Sequence, residues 1–281
     1  MPSFFRAVAF FVTLIAISAA ANAEPKRIVS INLCADELLI ALADPNQIAA
    51  LSIYATNERM AFFADRAKAF RHDAGDAETV VELDPDLVVA GRFTKRASRD
   101  MLSALGYEVA LLEPARSIDE SIDQIRRVAN LVGHPDRGEV LVAEIEAARE
   151  RARSAIADGA APSAVVYQRR GYVTGGDTLT GELLEMVGVT NAGGALAGGT
   201  GGLVPLEVMI ANPPDYLVVA ATNRAADDQG AALLAHPALE LLFPVERRIV
   251  LPERLTVCGG PSLPTALDRL SAELRRVHGS S

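Results

Sequence analysis

The stretch ETVVELDPDLVVA at residues 78–90 recurs as EVMIANPPDYLVVA at residues 207–220. In each copy a glutamate stands seven residues before a Pro-Asp pair, so Glu78 precedes Pro85 as Glu207 precedes Pro214. The apolar, β-branched run that follows each pair is typical of strands buried in parallel sheets. Because the repeat falls once in each half of the chain, it indicates two related lobes.

Short apolar strands alternate with amphipathic helices on both sides of this repeat. The first half predicts strands at 27–31, 47–51, 86–90 and 107–111, with helices at 35–43 and 95–105. The second half predicts strands at 163–167, 215–220 and 248–251, with helices at 179–187, 205–211 and 264–277. This alternation predicts α/β lobes built on parallel sheets.

Two helical patterns without strands separate the halves. Apolar residues recur at helical spacing over 118–132 and again, after a Gly-His-Pro break, over 141–156. We interpret the second pattern as a rigid backbone helix over 135–158, about 36 Å long at 1.5 Å per residue. The alternative is an ordinary long surface helix within one domain. The predicted organisation is an N-terminal lobe at 24–116, linking helices at 117–160 and a C-terminal lobe at 161–281.

The first 23 residues have the pattern of a secretory signal. Arg6 precedes an apolar or small run over 7–20, and Ala21-Asn22-Ala23 has the form of a cleavage site. We therefore expect a signal peptide at 1–23, cleaved near Ala23. The apolar run is shorter than the about 20 residues of a comfortable membrane span, which leaves an uncleaved anchor as the alternative.

Composition and sequence motifs narrow the range of possible functions. With 27 basic and 36 acidic side chains the formal charge is −9, which argues against a nucleic-acid partner. The sequence has no catalytic zinc motif, nucleophile elbow or phosphate loop, so we predict that it is not an enzyme. An exported α/β enzyme is the alternative from a different class, because a fold does not fix a function.

Residues directly after the predicted strands should line a cleft between the lobes, since ligands of open α/β sheets bind beyond the carboxyl ends of the strands. These residues include Asn32, Cys34, Tyr54, Arg92, Phe93, Arg169, Arg170, Asn223 and Cys258. The arginines are predicted to pair with an anionic ligand, the alternative being solvated loop charges.

Aromatic residues and one histidine complete the predicted ligand site. Tyr54, Phe93 and Tyr167 are predicted to form its apolar walls, although Tyr167 could equally be a core strand residue. His72, in a loop beside Arg71 and Asp73, is a further candidate contact.

The two cysteines of the chain are predicted to flank the cleft on opposite lobes. Cys34 follows the first predicted strand, and Cys258 follows the last one. Three interpretations stay open: a disulfide that locks the lobes, two small buried residues, or thiols that touch the ligand or its metal.

The order of these motifs resembles the periplasmic substrate-binding proteins of ABC importers for iron siderophores, haem and vitamin B12. The resemblance is carried by Arg27-Ile28-Val29-Ser30, by 78–90, by Thr174-Gly175-Gly176 with the Leu-Leu pair at 183–184, and by 207–219. It implies a monomeric periplasmic receptor without a cofactor, which delivers a small-molecule metal chelate or corrinoid to an ABC permease.

The resemblance also assigns a role to the repeated glutamates. Glu78 and Glu207 match the positions at which glutamates of this family dock on the permease. Two equivalent carboxylates on related lobes also suit a pseudo-symmetric partner. The alternative is that both simply stabilise helix N-termini.

The expected ligand is a ferric siderophore or another iron chelate. B12 binders of this family place tryptophans in the cleft, whereas this chain has none, and its 256–262 loop lacks the aspartate and arginine of a B12 site. Haem or a corrinoid comes second. Bare zinc or manganese comes third, because such sites need a compact shell of histidines and carboxylates.

Overall fold

The computed structural model of the protein describes residues 24–154, 161–220 and 233–278. The predicted signal peptide at 1–23, residues 155–158 of the predicted backbone helix and Asn223 lie outside this part of the chain. The described ranges contain eleven α-helices and eleven β-strands, besides short 3₁₀ turns.

The first lobe is built on a five-stranded parallel sheet. Its elements are β1 (Ile28–Ser30), α1 (Leu33–Leu42), β2 (Ile48–Ser52), α2 (Ala64–Ala67), β3 (His72–Asp73), α3 (Ala77–Glu82), β4 (Leu87–Gly91), α4 (Arg96–Ala104) and β5 (Val109–Leu112). The strand order is β3-β2-β1-β4-β5. Helices cover both faces of the sheet, so alternate residues of β4 lie in different core clusters. Leu87 belongs to the cluster on one face, and Val88 belongs to the cluster on the other.

Two long helices follow, α5 (Ile118–Leu131) and α6 (Pro135–Ser154). Ser117 caps α5 by accepting the Glu120 N–H at 2.9 Å. Over the described residues α6 is about 30 Å long at 1.5 Å per residue. Its apolar side, including Ile145 and Ala148, is fully buried in one core cluster with residues of both lobes.

The second lobe carries a four-stranded parallel sheet and a small antiparallel ribbon. Its elements are β6 (Ser163–Val166), β7 (Tyr172–Thr174), α7 (Leu179–Met186), β8 (Thr190–Asn191), α8 (Gly193–Ala197), β9 (Gly201–Leu203), α9 (Leu206–Ala211), β10 (Tyr216–Val219), α10 (Pro237–Leu242), β11 (Arg248–Val250) and α11 (Leu263–His278). The sheet order is β11-β10-β6-β8, and β7 pairs with β9.

The predicted fold class of two parallel-sheet α/β lobes joined by a backbone helix is confirmed. Helix α6 packs against α1 of the first lobe and against α7 and α11 of the second. None of the helices described here is long and apolar enough to span a bilayer.

Candidate functional site

A cavity of about 810 Å³ lies between the lobes, at the carboxyl ends of β4 and β5. This volume falls within the about 300–1,000 Å³ typical of small-molecule sites. The lining comprises Arg92, Phe93, Glu113, Pro114, Ala115, Arg116, Glu120, Asp123, Gln124, Arg127, Asp177, Thr178, Leu179, Thr180, Thr200 and Thr256. The first lobe, the start of α5 and three segments of the second lobe therefore meet around one space.

Phe93 is the largest exposed apolar side chain in the lining of this cavity. A tight turn follows β4, in which the Gly91 N–H donates to Thr94 Oγ1 and the Thr94 N–H donates to the Gly91 carbonyl, each at 3.0 Å. The turn leaves Phe93 84% exposed. Its ring presents a large apolar surface to the cavity, and a flat ligand could cover that surface.

The charges of the lining largely cancel. Arg92 forms an ion pair with Glu113 at 3.0 Å, because β4 and β5 are neighbours and both residues follow a strand end. Arg116 pairs with Glu120 at 3.4 Å, and Arg127 donates to the Leu111 carbonyl at 2.9 Å. With Asp123 and Asp177, four acidic groups face three arginines. The arrangement suits a ligand of small net charge better than a strong anion.

Cys34 and Cys258 form a disulfide whose Cα atoms are 5.3 Å apart. Of the three interpretations that the sequence left open, the bond between the lobes is the one observed. Cys34 lies in the first turn of α1, which Asn32 caps by accepting the Cys34 N–H at 3.0 Å. Cys258 lies two residues after the cavity residue Thr256, although neither cysteine belongs to the cavity lining itself.

The loop that carries Cys258 fits closely against α5. The Gly260 N–H donates to Ser121 Oγ at 2.6 Å. A Cβ at Gly259 would lie 2.6 Å from the same oxygen, so a side chain there would displace the loop. The loop is therefore held by the linking helix as well as by the disulfide.

Tyr167 does not contact the ligand cavity, which corrects its assignment to the site. Its side chain is 2% exposed, and its hydroxyl donates to the Val204 carbonyl at 3.1 Å. Tyr167 is therefore a core residue. Although it directly precedes the turn after β6, its side chain packs in the apolar cluster that also contains Val165 of β6 and Leu217 of β10.

Four other predicted contacts lie outside the cavity lining. Tyr54 follows β2 and is 53% exposed. His72 lies in β3, and its buried Nε2 has no hydrogen-bond partner among the described residues. Arg169 and Arg170 are exposed in the turn after β6, where Arg170 has a left-handed φ of 60°. The structure thus gathers Arg92 and Phe93 at one cavity, whereas the other predicted contacts, including Cys34 and Cys258, lie outside its lining.

Sequence reasoning missed two buried acids beneath the cleft, Asp36 and Glu37 in α1. Asp36 accepts the Ser52 N–H at 2.9 Å and the Ser52 hydroxyl at 2.5 Å. Glu37 accepts the Phe62 N–H at 2.8 Å through Oε1. Together they hold the ends of the 53–61 loop. The sequence feature that could have indicated these buried acids is an Asp-Glu pair inside the apolar run LCADELLIAL at 33–42.

Burial dominates the ionisation of both acids. It raises the pKa of Asp36 to about 7, although the hydrogen bonds from Ser52 oppose the shift. It raises the pKa of Glu37 to about 8, and the neighbouring Asp36 charge adds to that effect. Glu37 is therefore mostly protonated at neutral pH.

The sequence also missed Asp177 and Thr178, which line the cavity directly after the Gly-Gly pair at 175–176. Thr178 caps α7 by accepting the Gly181 N–H at 3.1 Å. In α7, Glu182 accepts the Ile118 N–H at 2.6 Å and so ties the second lobe to the start of α5. Among the described residues, no group of three or more His, Cys, Asp or Glu side chains is placed to hold a metal ion.

Glu78 and Glu207 occupy equivalent places in the two lobes. Each is exposed in the first turn of the short helix, α3 or α9, that precedes a central strand. Neither belongs to the cavity lining.

Two α/β lobes that share a backbone helix and enclose a cavity at their strand ends define a two-lobed ligand-binding protein. The chain belongs to the periplasmic binding protein family, whose model matches residues 28–245.

Relatives and solved structures agree with this family. Two cobalamin-binding proteins from strains of Halobacterium salinarum are 27% identical over 222 residues, covering 76% of this chain and 59% of theirs. The chain thus spans less than two thirds of the length of these curated relatives. The periplasmic heme-binding protein RhuT from Roseiflexus sp. RS-1 superposes with a TM-score of 0.73 and 26% identity, covering 90% of this chain and 98% of that one.

A more distant structure shares the fold. The periplasmic vitamin B12 binding protein BtuF of Vibrio cholerae superposes with a TM-score of 0.70 and 16% identity, covering 91% of this chain and 98% of that one. The architecture is therefore shared with a heme-binding protein and with a vitamin B12 binding protein.

Proposed function

We propose that this chain captures a metal chelate in the periplasm and delivers it to an ABC importer of the inner membrane. The observation that carries the proposal is the cavity of about 810 Å³ between the lobes, with Phe93 exposed at its wall. The family and the neighbouring structures are binding proteins, which supports a receptor over an enzyme. In this proposal residues 1–23 direct export.

The ligand class that we propose is a corrinoid. A corrinoid is a metal macrocycle surrounded mainly by uncharged amide groups, so it suits a lining whose charges largely cancel. Hydroxyl groups for such amides come from Thr180 and Thr200 in the lining. The cobalamin-binding relatives support the same class.

A ferric siderophore, the first expectation from the sequence, is the competing ligand. That expectation rested on the absence of tryptophan and of the aspartate and arginine of a B12 loop, and a separate prediction paired the arginines with an anionic ligand. Arg92 is instead paired with Glu113, and Arg169 and Arg170 lie outside the cavity lining. The charge pattern therefore favours the corrinoid over the siderophore.

We assign Glu78 and Glu207 to docking on the permease. Both are exposed at equivalent positions of the two lobes, and both lie outside the cavity lining. A partner with two equivalent subunits could contact them at once while the cavity stays occupied.

The test is equilibrium dialysis of the chain from residue 24 onward against cyanocobalamin, haemin and a ferric catecholate siderophore. We expect cyanocobalamin to bind most tightly. Phe93→Ala should weaken that binding by about 1.5–3 kcal/mol, because the ligand then no longer covers an aromatic ring. Leu105→Ala is the matched control, since Leu105 is 55% exposed and lies outside the lining.

The outcomes separate the two parts of the proposal. Tighter binding of haemin or of the siderophore would show that the ligand class is wrong while capture stands. Failure of all three ligands to bind would contradict capture of a metal chelate. Equal losses of binding free energy in Phe93→Ala and Leu105→Ala would show that Phe93 does not contact the ligand.

A further inference from the structure

Among the described residues a disulfide and an ion pair join the lobes across the cleft, and we call these two contacts the interlobe clasp. The first is the Cys34–Cys258 disulfide, between residues 224 positions apart. The second is an ion pair between Arg59 Nε and Glu253 Oε2 at 3.3 Å. Both side chains of the ion pair are about 40% exposed and such pairs are weak, so the disulfide is the stronger of these two contacts.

Both ends of the disulfide sit on well-held structure. Cys34 lies in the capped first turn of α1, and Cys34, Cys258 and Leu33 share one core cluster. On the other side, Ser262 Oγ donates to the carbonyls of Leu255 and Cys258 at 3.2 and 3.3 Å. The bond thus joins the bodies of the two lobes, and does not merely connect two loose loops.

In the first lobe the clasp and the cavity lie at different parts of the sheet edge. In the first lobe Arg59 follows β2 and Cys34 follows β1, whereas the cavity residues Arg92 and Glu113 follow β4 and β5. The sheet order β3-β2-β1-β4-β5 places these pairs on opposite sides of the β1–β4 boundary. On the first lobe the β1–β2 side is therefore fastened and the cavity lies on the β4–β5 side, while in the second lobe the cavity residue Thr256 lies between Glu253 and Cys258 of the clasp.

We propose that the clasp holds the lobes at a fixed separation, so that ligand enters and leaves from the β4–β5 side without separation of the lobes at β1. The reason is geometric. The bonded Cα atoms are 5.3 Å apart, and a disulfide cannot bridge more than about 7 Å. The lobes can rotate about this tie but cannot open at it, which restricts hinge motion of the kind seen in two-lobed binders.

The first experiment measures the lobe separation without any ligand. Spin labels are attached through a keto amino acid placed at Arg96 in α4 and at Glu240 in α10, both exposed, and their distance distribution is recorded by pulsed electron paramagnetic resonance. We expect one narrow distribution for the oxidised chain. In Cys34→Ala/Cys258→Ala it should broaden toward longer distances.

Two further variants distinguish the loss of the ion pair in the clasp from the loss of an ion pair elsewhere in the protein. Adding Arg59→Gln to the double cysteine variant should broaden the distribution again. Adding Arg126→Gln should not, because the Arg126–Glu139 ion pair joins α5 to α6 and does not cross the cleft. Should the cysteine variant fail to fold, the oxidised chain treated with a phosphine reductant gives the same comparison.

Superimposable distributions with and without the disulfide would overturn the proposal. A second experiment uses the ligand and therefore rests on the proposed function. In stopped-flow measurements cyanocobalamin should dissociate several-fold faster from the double cysteine variant than from the oxidised chain. An unchanged dissociation rate would also contradict the clasp. If the chain binds no cyanocobalamin, the distances alone decide, so failure of the ligand assignment is distinguishable from failure of the clasp.

Discussion

Replacing Glu37 by glutamine should remove a large part of the pH dependence of stability. Glu37 is 1% exposed, its Oε2 has no hydrogen-bond partner among the described residues, and burial raises its pKa from 4.5 to about 8. Between these two pKa values the native state holds a proton that the unfolded state has released. The free energy of unfolding therefore falls as pH rises through this window.

The magnitude follows from the size of the window. One proton of difference corresponds to about 1.4 kcal/mol per pH unit, so Glu37 should account for about 3 kcal/mol between pH 5 and pH 7. Glutamine keeps the shape of the neutral acid and cannot ionise. The difference in unfolding free energy between the original chain and Glu37→Gln should therefore decrease by that amount over these two pH units.

Urea unfolding followed by far-ultraviolet circular dichroism at pH 5, 6 and 7 measures this difference. Asp36 shifts in the same direction but is present in both proteins, so the comparison isolates Glu37. Glu58→Gln is the control, because the Glu58 side chain is 76% exposed. Parallel pH profiles for the original chain and Glu37→Gln would refute the reasoning, since they would mean that Glu37 is ionised in the native protein.

Two further predictions concern the cysteines and the repeated glutamates. Cys34→Ala/Cys258→Ala should lower the free energy of unfolding by about 5 kcal/mol in urea titrations, because the disulfide closes a very long loop in the unfolded chain. A loss no larger than that of a surface substitution would contradict this estimate. Glu78→Ala/Glu207→Ala should abolish ligand-stimulated ATP hydrolysis by the reconstituted importer and leave ligand affinity intact, whereas weakened binding would place these side chains in the ligand site.

Most of the fold could be predicted because its signals are local. The strand expected at 86–90 is β4 (Leu87–Gly91), and the helix expected at 95–105 is α4 (Arg96–Ala104). The β7–β9 ribbon was missed, since β9 lies in a glycine-rich stretch without alternation of apolar and polar residues. Strand β3 has two residues, which is too short for any periodic pattern.

The candidate site was less predictable, because its properties depend on which distant residues become neighbours. The sequence indicated that Arg92 and Phe93 follow a strand. It did not indicate that Glu113, at the end of the adjacent strand, would neutralise Arg92. The disulfide depends in the same way on the relative position of two lobes, which no spacing between Cys34 and Cys258 encodes.

The turn between β1 and α1 adjoins both the clasp and the cavity wall. The first turn of α1, which follows it directly, carries the clasp through Cys34 and holds Ser52 at the end of β2 through Asp36. On the cavity side, a Cβ at Gly91 would lie 2.4 Å from Asn32 Nδ2, so the turn that exposes Phe93 packs directly against the same segment. Because one short segment positions the tie between the lobes and the wall of the cavity, a shift of α1 relative to the second lobe would move Phe93 as well. The separation of the lobes and the shape of the ligand site are therefore set together.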